Sequence, residues 1–286
     1  MKKLSPHRSN WIGVFDSGFG GLSILKEIVR VLPQYDYLYL GDTARTPYGT
    51  RSQEVIYQFT EQAVNFLFKQ GCQLIILACN TASAEALAKI QQDYLPKHYA
   101  NRRVLGVLIP AAEQAVAKTK NNRVGVLATS GAVASKAFVR EIKKIKPAIQ
   151  VFQNSAPLLA PLVEEGEHNS VMVDLALAKY LQPLLRKNID SLVLGCTHYG
   201  LLEKKIKKII GPKIAIISEG KVVAKKLADY LRRHPVIKQK LSRNGRREFL
   251  TTDLTDKFQK LGSCFFGRNI EPQIARLDWK KAGFGV

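Results

Sequence analysis

The chain has 286 residues, of which 46% are hydrophobic and 23% charged, and its formal net charge is +21. This balance is typical of a folded globular protein rather than a disordered one, and the length favours two domains over one. No apolar run approaches the roughly 20 residues that a membrane-spanning helix needs, and the first residues lack the apolar segment of a secretory signal. We therefore expect a cytoplasmic protein that does not enter a membrane.

Seven short runs rich in β-branched and aromatic residues alternate with longer segments whose apolar residues recur at helical spacing. The predicted buried strands span residues 11–15, 36–40, 73–77, 104–108, 123–127, 191–195 and 213–217. Regular alternation of this kind indicates an α/β fold with parallel sheets.

The sequence also contains a weak internal repeat. The segment IGVFDSGFGGLSILKEI (12–28) resembles VGVLATSGAVASKAFVREI (124–142), and LIILACNTAS resembles LVLGCTHYG in the same order. Two similar α/β halves that face each other would explain the repeat. Ligands of parallel sheets bind outside the carboxyl ends of the strands, so a cleft between the halves is the expected site.

Two of the four cysteines, Cys79 and Cys196, stand at matching positions of this repeat, each between a strand and a helical segment. The positive end of a helix is expected to lower the pKa of such a thiol, and Asn80, Thr81 and Thr197 are expected to cap the helices. The four cysteines show no disulfide or zinc spacing, so we expect reduced thiols and no metal. A purely structural role as small buried side chains is the alternative.

Two equivalent thiols suit a reaction in which a proton leaves one face of a carbon and another returns to the opposite face. This is the chemistry of a two-base racemase or epimerase. Asp16 ends the first predicted strand and is expected to assist Cys79, whereas Ala128 takes its place in the second half. His198, two residues after Cys196, is expected to replace that missing partner.

The polar segment DTARTPYGTRS (42–52) follows a predicted strand. It is either a ligand-binding loop that presents backbone N–H groups and the Tyr48 hydroxyl, or a plain connection. The glycines of DSGFGG lack the full spacing of a dinucleotide fingerprint, so no NAD site is expected. The positive charge is typical of solvated helix faces, and attraction to an anionic substrate or an acidic polymer is the alternative.

These blocks resemble the glutamate racemases of the aspartate/glutamate racemase superfamily. FDSGFGGLS, DTARTPYGTRS, ACNTAS, PLVEEG and LGCTHYGLL occur in that family's order, and the resemblance covers roughly residues 12–262. It implies two flavodoxin-like α/β domains with the active site in the cleft between them. We expect residues 1–107 and 218–286 to form the first domain and residues 108–217 the second.

The resemblance further implies a racemase that needs no cofactor, interconverts L- and D-glutamate for peptidoglycan synthesis and often forms a homodimer. Cys79 would act on D-glutamate and Cys196 on L-glutamate, with assistance from Asp16, His198 and Glu164. The implied substrate contacts are Asp16, Ser17, Pro47, Tyr48, Gly49, Asn80, Thr81, Thr197 and His198.

The chain departs from the family pattern at Ala132, Phe138, Gly200 and the pair Ser218–Glu219. These positions belong to the second domain or the domain junction. Two other functions stay open: racemisation of another acidic amino acid such as aspartate, and binding of DNA or gyrase by a basic protein on the same scaffold. The residues before Trp11 are expected to form a disordered basic tail, with a response to a cell-wall precursor nucleotide as the alternative. Residues 276–286 are expected to dock as an apolar segment.

Overall fold

The structure is a computed structural model that describes residues 10–277. The two expectations for the termini therefore lie outside the described residues, except for Asn10 and the first two residues of 276–286. Within the described part, no helix is both long and apolar enough to cross a bilayer.

Two parallel β-sheets organise the chain. The first has the strand order β10-β9-β2-β1-β3-β4, and the second has the order β6-β5-β7-β8. The strands are β1 (Ile12–Asp16), β2 (Tyr37–Gly41), β3 (Leu74–Leu77), β4 (Arg103–Gly106), β5 (Arg123–Ala128), β6 (Gln150–Ser155), β7 (Ser191–Gly195), β8 (Ala215–Ile217), β9 (Arg247–Thr251) and β10 (Pro272–Ile274).

The helices run between the strands. They are α1 (Leu22–Val31), α2 (Gln53–Lys69), α3 (Asn80–Glu85), α4 (Leu87–Lys89), α5 (Leu95–His98), α6 (Leu108–Lys118), α7 (Ser130–Ala134), α8 (Ala137–Ile145), α9 (Leu159–Glu164), α10 (Val171–Leu185), α11 (Glu203–Ile210), α12 (Glu219–Arg233), α13 (Pro235–Lys240) and α14 (Asp256–Phe266). A π-helical turn (Ile90–Tyr94) joins α4 to α5, and 3₁₀ turns cover Thr43–Arg45, Tyr48–Thr50, Glu167–Asn169 and Thr197–Leu202.

The predicted α/β fold with parallel sheets is confirmed, and each of the seven predicted strands overlaps an observed one. The prediction missed β6, β9 and β10. The sequence of β6, QVFQNS, is largely polar and only half-buried, whereas β10 has three residues. Such strands lack the continuous apolar run by which buried parallel strands are recognised.

The internal repeat is visible in the topology. The order β2-β1-β3-β4 in the first sheet corresponds to β6-β5-β7-β8 in the second, so β1 matches β5 and β3 matches β7. Asp16 and Ala128, the last residues of β1 and β5, are therefore equivalent in the two sheets. The chain returns from β8 to the first sheet through α12, which lies against α1. The domain limits at residues 107/108 and 217/218 stay a prediction.

Asp36 lies at the amino ends of the strands of the first sheet, immediately before β2. Its buried carboxylate connects the start of β2 to the segment before β9. It accepts hydrogen bonds from the backbone N–H groups of Asn244 (3.0 Å) and Arg246 (2.8 Å), and from the side chains of both residues. Burial alone would raise the pKa of Asp36, but the hydrogen bonds from Arg246, Ser242 and Asn244 outweigh it and lower the pKa.

We expect Asp36→Ala to lower the free energy of unfolding by about 2–4 kcal/mol, because several N–H donors lose a charged acceptor. The stabilisation should be present above the ordinary carboxyl pKa and disappear as the pH falls through the lower folded-state value. Urea denaturation at pH 7 and pH 3 measures both effects. Asp229→Ala, which breaks the surface pairs with Arg232 and Arg233, is the control. Equal effects of the two variants would contradict this assignment.

Candidate active site

The carboxyl ends of the two sheets enclose a narrow cavity of about 50 Å³, room for a few water molecules. Its wall contains residues from the ends of β1, β3, β5 and β7 and from the loop after β2. The lining residues are Ser17, Thr46, Pro47, Tyr48, Gly49, Cys79, Asn80, Thr81, Thr129, Ala160, Glu164, Cys196, Thr197 and His198. Every predicted site residue is among them except Asp16.

Cys79 comes to the cavity from the first sheet, two residues after β3. Its Sγ lies 3.3 Å from the Ser17 hydroxyl oxygen and accepts a hydrogen bond from the Ala82 backbone N–H at 3.5 Å. Cys79 itself is therefore the N-cap of α3, and the expectation that Asn80 and Thr81 cap this helix is wrong, because they form its first turn.

The expected lowering of the Cys79 pKa is also wrong. Burial, and then the negative charge of Asp16, raises the pKa of Cys79 to about 12, despite the hydrogen bonds from Ser17 and Ala82. Cys79 is thus a neutral thiol at physiological pH.

Asp16 lies beneath the cavity wall and is only 1% exposed. One carboxylate oxygen accepts the Gly18 N–H at 3.1 Å, and the backbone N–H of Gly21 also interacts with the carboxylate. Burial raises the pKa of Asp16, and the positive charge of His198 opposes that rise. Asp16 therefore interacts electrostatically with ionisable groups at both cysteine junctions. Its direct contact with a substrate stays a prediction.

Cys196 comes to the cavity from the second sheet, immediately after β7. Its Sγ lies 3.5 Å from Nδ1 of His198, whose Nε2 lies 3.0 Å from Oε1 of Glu164. The helix predicted to start here is a 3₁₀ turn, and the Thr197 side chain does not cap it. A chain of thiol, imidazole and carboxylate results.

The imidazole of this chain is charged at neutral pH. Burial would lower the pKa of His198, but its hydrogen bond to Cys196 and the charges of Cys196 and Glu164 raise the pKa well above the usual value. The imidazolium therefore places a positive charge 3.5 Å from the Cys196 sulfur.

The sequence left two adjacent carboxylates, Glu164 and Glu165, as partners of this histidine. The structure places Glu164 against His198, whereas the exposed Glu165 pairs with Lys257 at 2.6 Å. The two carboxylates have different partners because α9 ends at Glu164, and Glu165 lies just beyond the end of the helix.

Aromatic side chains hold the imidazole in place. The rings of Phe19 and Phe265 meet His198 edge-on, with centroids 5.8 Å and 5.6 Å away. The turn that carries Phe19 comes so close to the second sheet that a Cβ on Gly20 would stand 2.3 Å from Oγ1 of Thr197. Glycine at position 20 therefore permits the two cysteine junctions to approach each other.

The loop after β2 is anchored rather than free. The buried carboxylate of Asp42 accepts hydrogen bonds from the Tyr48 hydroxyl and from Arg45, and Thr252 donates to its second oxygen at 2.9 Å. The Tyr48 hydroxyl donates to Asp42, and its presentation to a ligand, one of the two interpretations of this loop, stays a prediction. Pro47, Tyr48 and Gly49 do line the cavity.

Sequence reasoning missed three lining residues, Thr46, Thr129 and Ala160. The internal repeat could have identified Thr129 as a lining residue, because Thr129 follows Ala128 just as Ser17 follows Asp16. Its hydroxyl caps α7 and lies 3.2 Å from the Thr81 hydroxyl, so it links the two sheets across the cavity.

The departures from the family pattern lie close to the second junction. Phe138 is buried and occupies the space beside Gly195, where a Cβ would stand 2.8 Å from its ring. Ala132 is buried in α7, Gly200 follows His198 by two residues, and Ser218–Glu219 form the crossover into α12. Within residues 10–277, no group of three or more His, Cys, Asp or Glu side chains is arranged to hold a metal ion.

Comparison with known proteins agrees with this geometry. The Asp/Glu/Hydantoin racemase family model matches residues 12–227. The glutamate racemase of Geobacter metallireducens is 39% identical over 257 residues, which is 90% of this chain and 92% of that protein. The chain therefore belongs to the Asp/Glu/hydantoin racemase family.

Solved structures show the same architecture. Glutamate racemase from Francisella tularensis, in complex with D-glutamate, is 34% identical with a TM-score of 0.85, and the match covers 95% of this chain and 99% of that one. The glutamate racemase isoform RacE1 from Bacillus anthracis is also 34% identical, with a TM-score of 0.86 and the same coverage.

We expect Glu164→Gln to lower the pKa of His198, because the variant loses the carboxylate beside Nε2. The stabilisation linked to His198 is complete below its unfolded pKa of about 6.5 and is lost as the pH rises through the folded value. NMR titration of the imidazole Cε1–H signal measures the change. Glu165→Gln is the matched control and should leave the titration unchanged. A shift of equal size in both variants would rule out the pairing seen here.

Proposed function

We propose that this protein interconverts L- and D-glutamate by a two-base transfer of the α-proton that requires no cofactor. The observation that carries the proposal is the pair Cys79 and Cys196, which come from different sheets and line one cavity. Relatives that match nearly the whole chain are named glutamate racemases. D-Glutamate for peptidoglycan is the product expected for this family.

The unequal surroundings of the two thiols favour one arrangement of protons. Cys79 is neutral because its pKa is raised to about 12, whereas Cys196 lies against the charged imidazole of His198. In this state, the Cys196 thiolate removes the α-proton of L-glutamate, and the Cys79 thiol donates its proton to the opposite face. Cys79 is left as a thiolate and Cys196 as a thiol, ready for the reverse reaction on D-glutamate.

Each base has a buried group that compensates its change of charge. On the side of Cys196, the imidazolium of His198, supported by Glu164, stabilises the thiolate. On the side of Cys79, burial raises the pKa of the Asp16 carboxyl group, which favours its protonated form and makes it a candidate proton donor beside the thiol. We propose that these five residues are the catalytic set.

The remaining lining residues are proposed to bind the substrate. Ser17, Asn80, Thr81, Thr129 and Thr197 offer side-chain hydrogen-bonding groups around the two thiols. Pro47, Tyr48 and Gly49 form the wall on the side of the loop after β2. Once the substrate fills the cavity, its fixed dipoles stabilise the carbanion better than water does, because they need not reorient during the reaction.

The expected homodimer and cytoplasmic location stay predictions, as does binding of nucleic acid or gyrase. Aspartate is the alternative substrate, because it carries the same groups on a shorter side chain. A direct comparison of both amino acids distinguishes these substrates.

The first experiment uses the purified protein with L-glutamate in D2O and no added cofactor. We expect the optical rotation to decay to zero while the α-proton NMR signal disappears, because the proton returned to the opposite face comes from a thiol that exchanges with solvent. The same measurement with L-aspartate is the comparison. Activity on aspartate alone would change the proposed substrate, and inactivity with both amino acids would contradict the proposed function.

Cysteine variants test the two-base assignment. Cys79→Ser and Cys196→Ser should each reduce racemisation by at least about 100-fold, because a serine hydroxyl is a far weaker acid than a thiol. Cys196→Ser should still exchange the α-proton of D-glutamate with D2O without inversion, and Cys79→Ser should do so with L-glutamate. The control is Cys264→Ser, on an exposed part of α14. Near-normal racemisation by Cys79→Ser would show the assignment to be wrong.

A further inference from the structure

Glu219 is a buried carboxyl group that the mechanism above does not use. It begins α12, at the crossover from the second sheet to the first, and is only 4% exposed. Its Oε2 accepts a hydrogen bond from Nδ2 of Asn80 at 2.8 Å. Its Oε1 is buried and has no hydrogen-bond partner within residues 10–277.

This carboxyl group lies next to the reacting groups. Together with Ser23, Cys196 and Thr197 it lines a second, smaller cavity of about 20 Å³. Cys196 and Thr197 line both cavities, and Asn80, which donates to Glu219, lines the active-site cavity as well.

The contact with Glu219 decides which end of the Asn80 carboxamide is available to a ligand. Nδ2 is engaged by Glu219, whereas Oδ1 is buried without a partner among the described residues. Oδ1 accepts hydrogen bonds only, and the N–H donors of glutamate are those of its ammonium group. Resting on the proposed function, we propose that neutral Glu219 positions the Asn80 carboxamide to accept a hydrogen bond from the substrate ammonium group.

The charge state of Glu219 matters because the groups that face it are mostly acidic. They are Asp16 at the end of β1 and Cys196 in the shared cavity, with His198 as the cation against Cys196. Glu27 of α1 lies beside Gly220 and is paired with Arg30. Lys221 of the same helix lines a different cavity. Burial raises the pKa of Glu219 to about 8, the hydrogen bond from Asn80 opposes this rise, and Asp16 adds to it.

Glu219 is therefore neutral at pH 7 and becomes an anion in mildly alkaline solution. The anion adds a negative charge beside a cavity that must accept two substrate carboxylates, in surroundings that screen charge poorly. We expect the ionised protein to bind glutamate weakly, so that the apparent affinity follows the fraction of neutral Glu219.

The test measures kcat and KM for L-glutamate between pH 6.5 and pH 9.5. In the wild-type protein, KM should rise by up to about tenfold from pH 7 to pH 9, with a smaller change in kcat, because the neutral fraction falls by about that factor. Glu219→Gln keeps an acceptor for Asn80 without the charge, so KM at pH 7 should stay within about twofold and this rise should disappear. Glu219→Ala should increase KM at every pH.

Controls separate this role from a general effect on folding. A glutamate side chain in the unfolded chain ionises above about pH 4.5, so keeping Glu219 neutral in the folded protein lowers the stability at pH 7. The Glu219→Gln variant, which has no such cost, should therefore melt at or above the wild-type temperature. Glu27→Gln removes a carboxylate from the neighbouring helix and should retain the alkaline rise in KM.

The same alkaline rise in Glu219→Gln would overturn the inference, since another group, such as the substrate ammonium, would then be responsible. An unchanged KM in Glu219→Ala would overturn the positioning role. If either result is found while the wild-type protein racemises glutamate normally, the proposed function still stands. An inactive wild-type protein would instead refute the proposed function, and this inference with it.

Discussion

Strands that run parallel leave all their carboxyl ends at one edge of the sheet, and in this protein two such edges meet. Most of the residues that line the cavity lie at these strand ends, and α9 adds Ala160 and Glu164. The turn after β1 can approach the second sheet only because Gly20 lacks a side chain, and the approach brings Phe19 against His198. Two thiols that are 117 positions apart in sequence, Cys79 and Cys196, thereby share one cavity.

The repeat explains why the two sides are similar, and its broken symmetry explains why they differ. Ala128 replaces Asp16 at the equivalent strand end, and the second thiol receives an imidazole from its own junction and a carboxylate from α9 instead. One thiol is neutral beside an acidic group, and the other lies against a cation. If the two thiols exchange protons with the substrate as proposed, the protein's charge is redistributed rather than increased.

Much of this arrangement could be read from the sequence. The apolar runs predicted the central strands, and the cysteine junctions with Asp16 and His198 indicated the chemistry. The polar strand β6 and the short β10 escaped because their burial depends on neighbours rather than on their own composition. The sequence predicts a lowered pKa for Cys79, whereas the pKa is raised. A sequence shows the end of a helix but not the low dielectric constant around the thiol. The contacts of Phe265 and Glu219 depend on packing between segments distant in the chain.

The anchoring of the loop after β2 has a consequence for how a ligand reaches the thiols. Asp42 binds Arg45, Tyr48 and Thr252, so this wall of the cavity is joined to the segment after β9 and belongs to the rigid body of the first sheet. A hinged flap would need such contacts to break in each turnover. The hydroxyls of Thr81 and Thr129 meet at 3.2 Å across the cavity, between the two sheets. A route to the thiols that opened along this seam would leave the anchored wall intact.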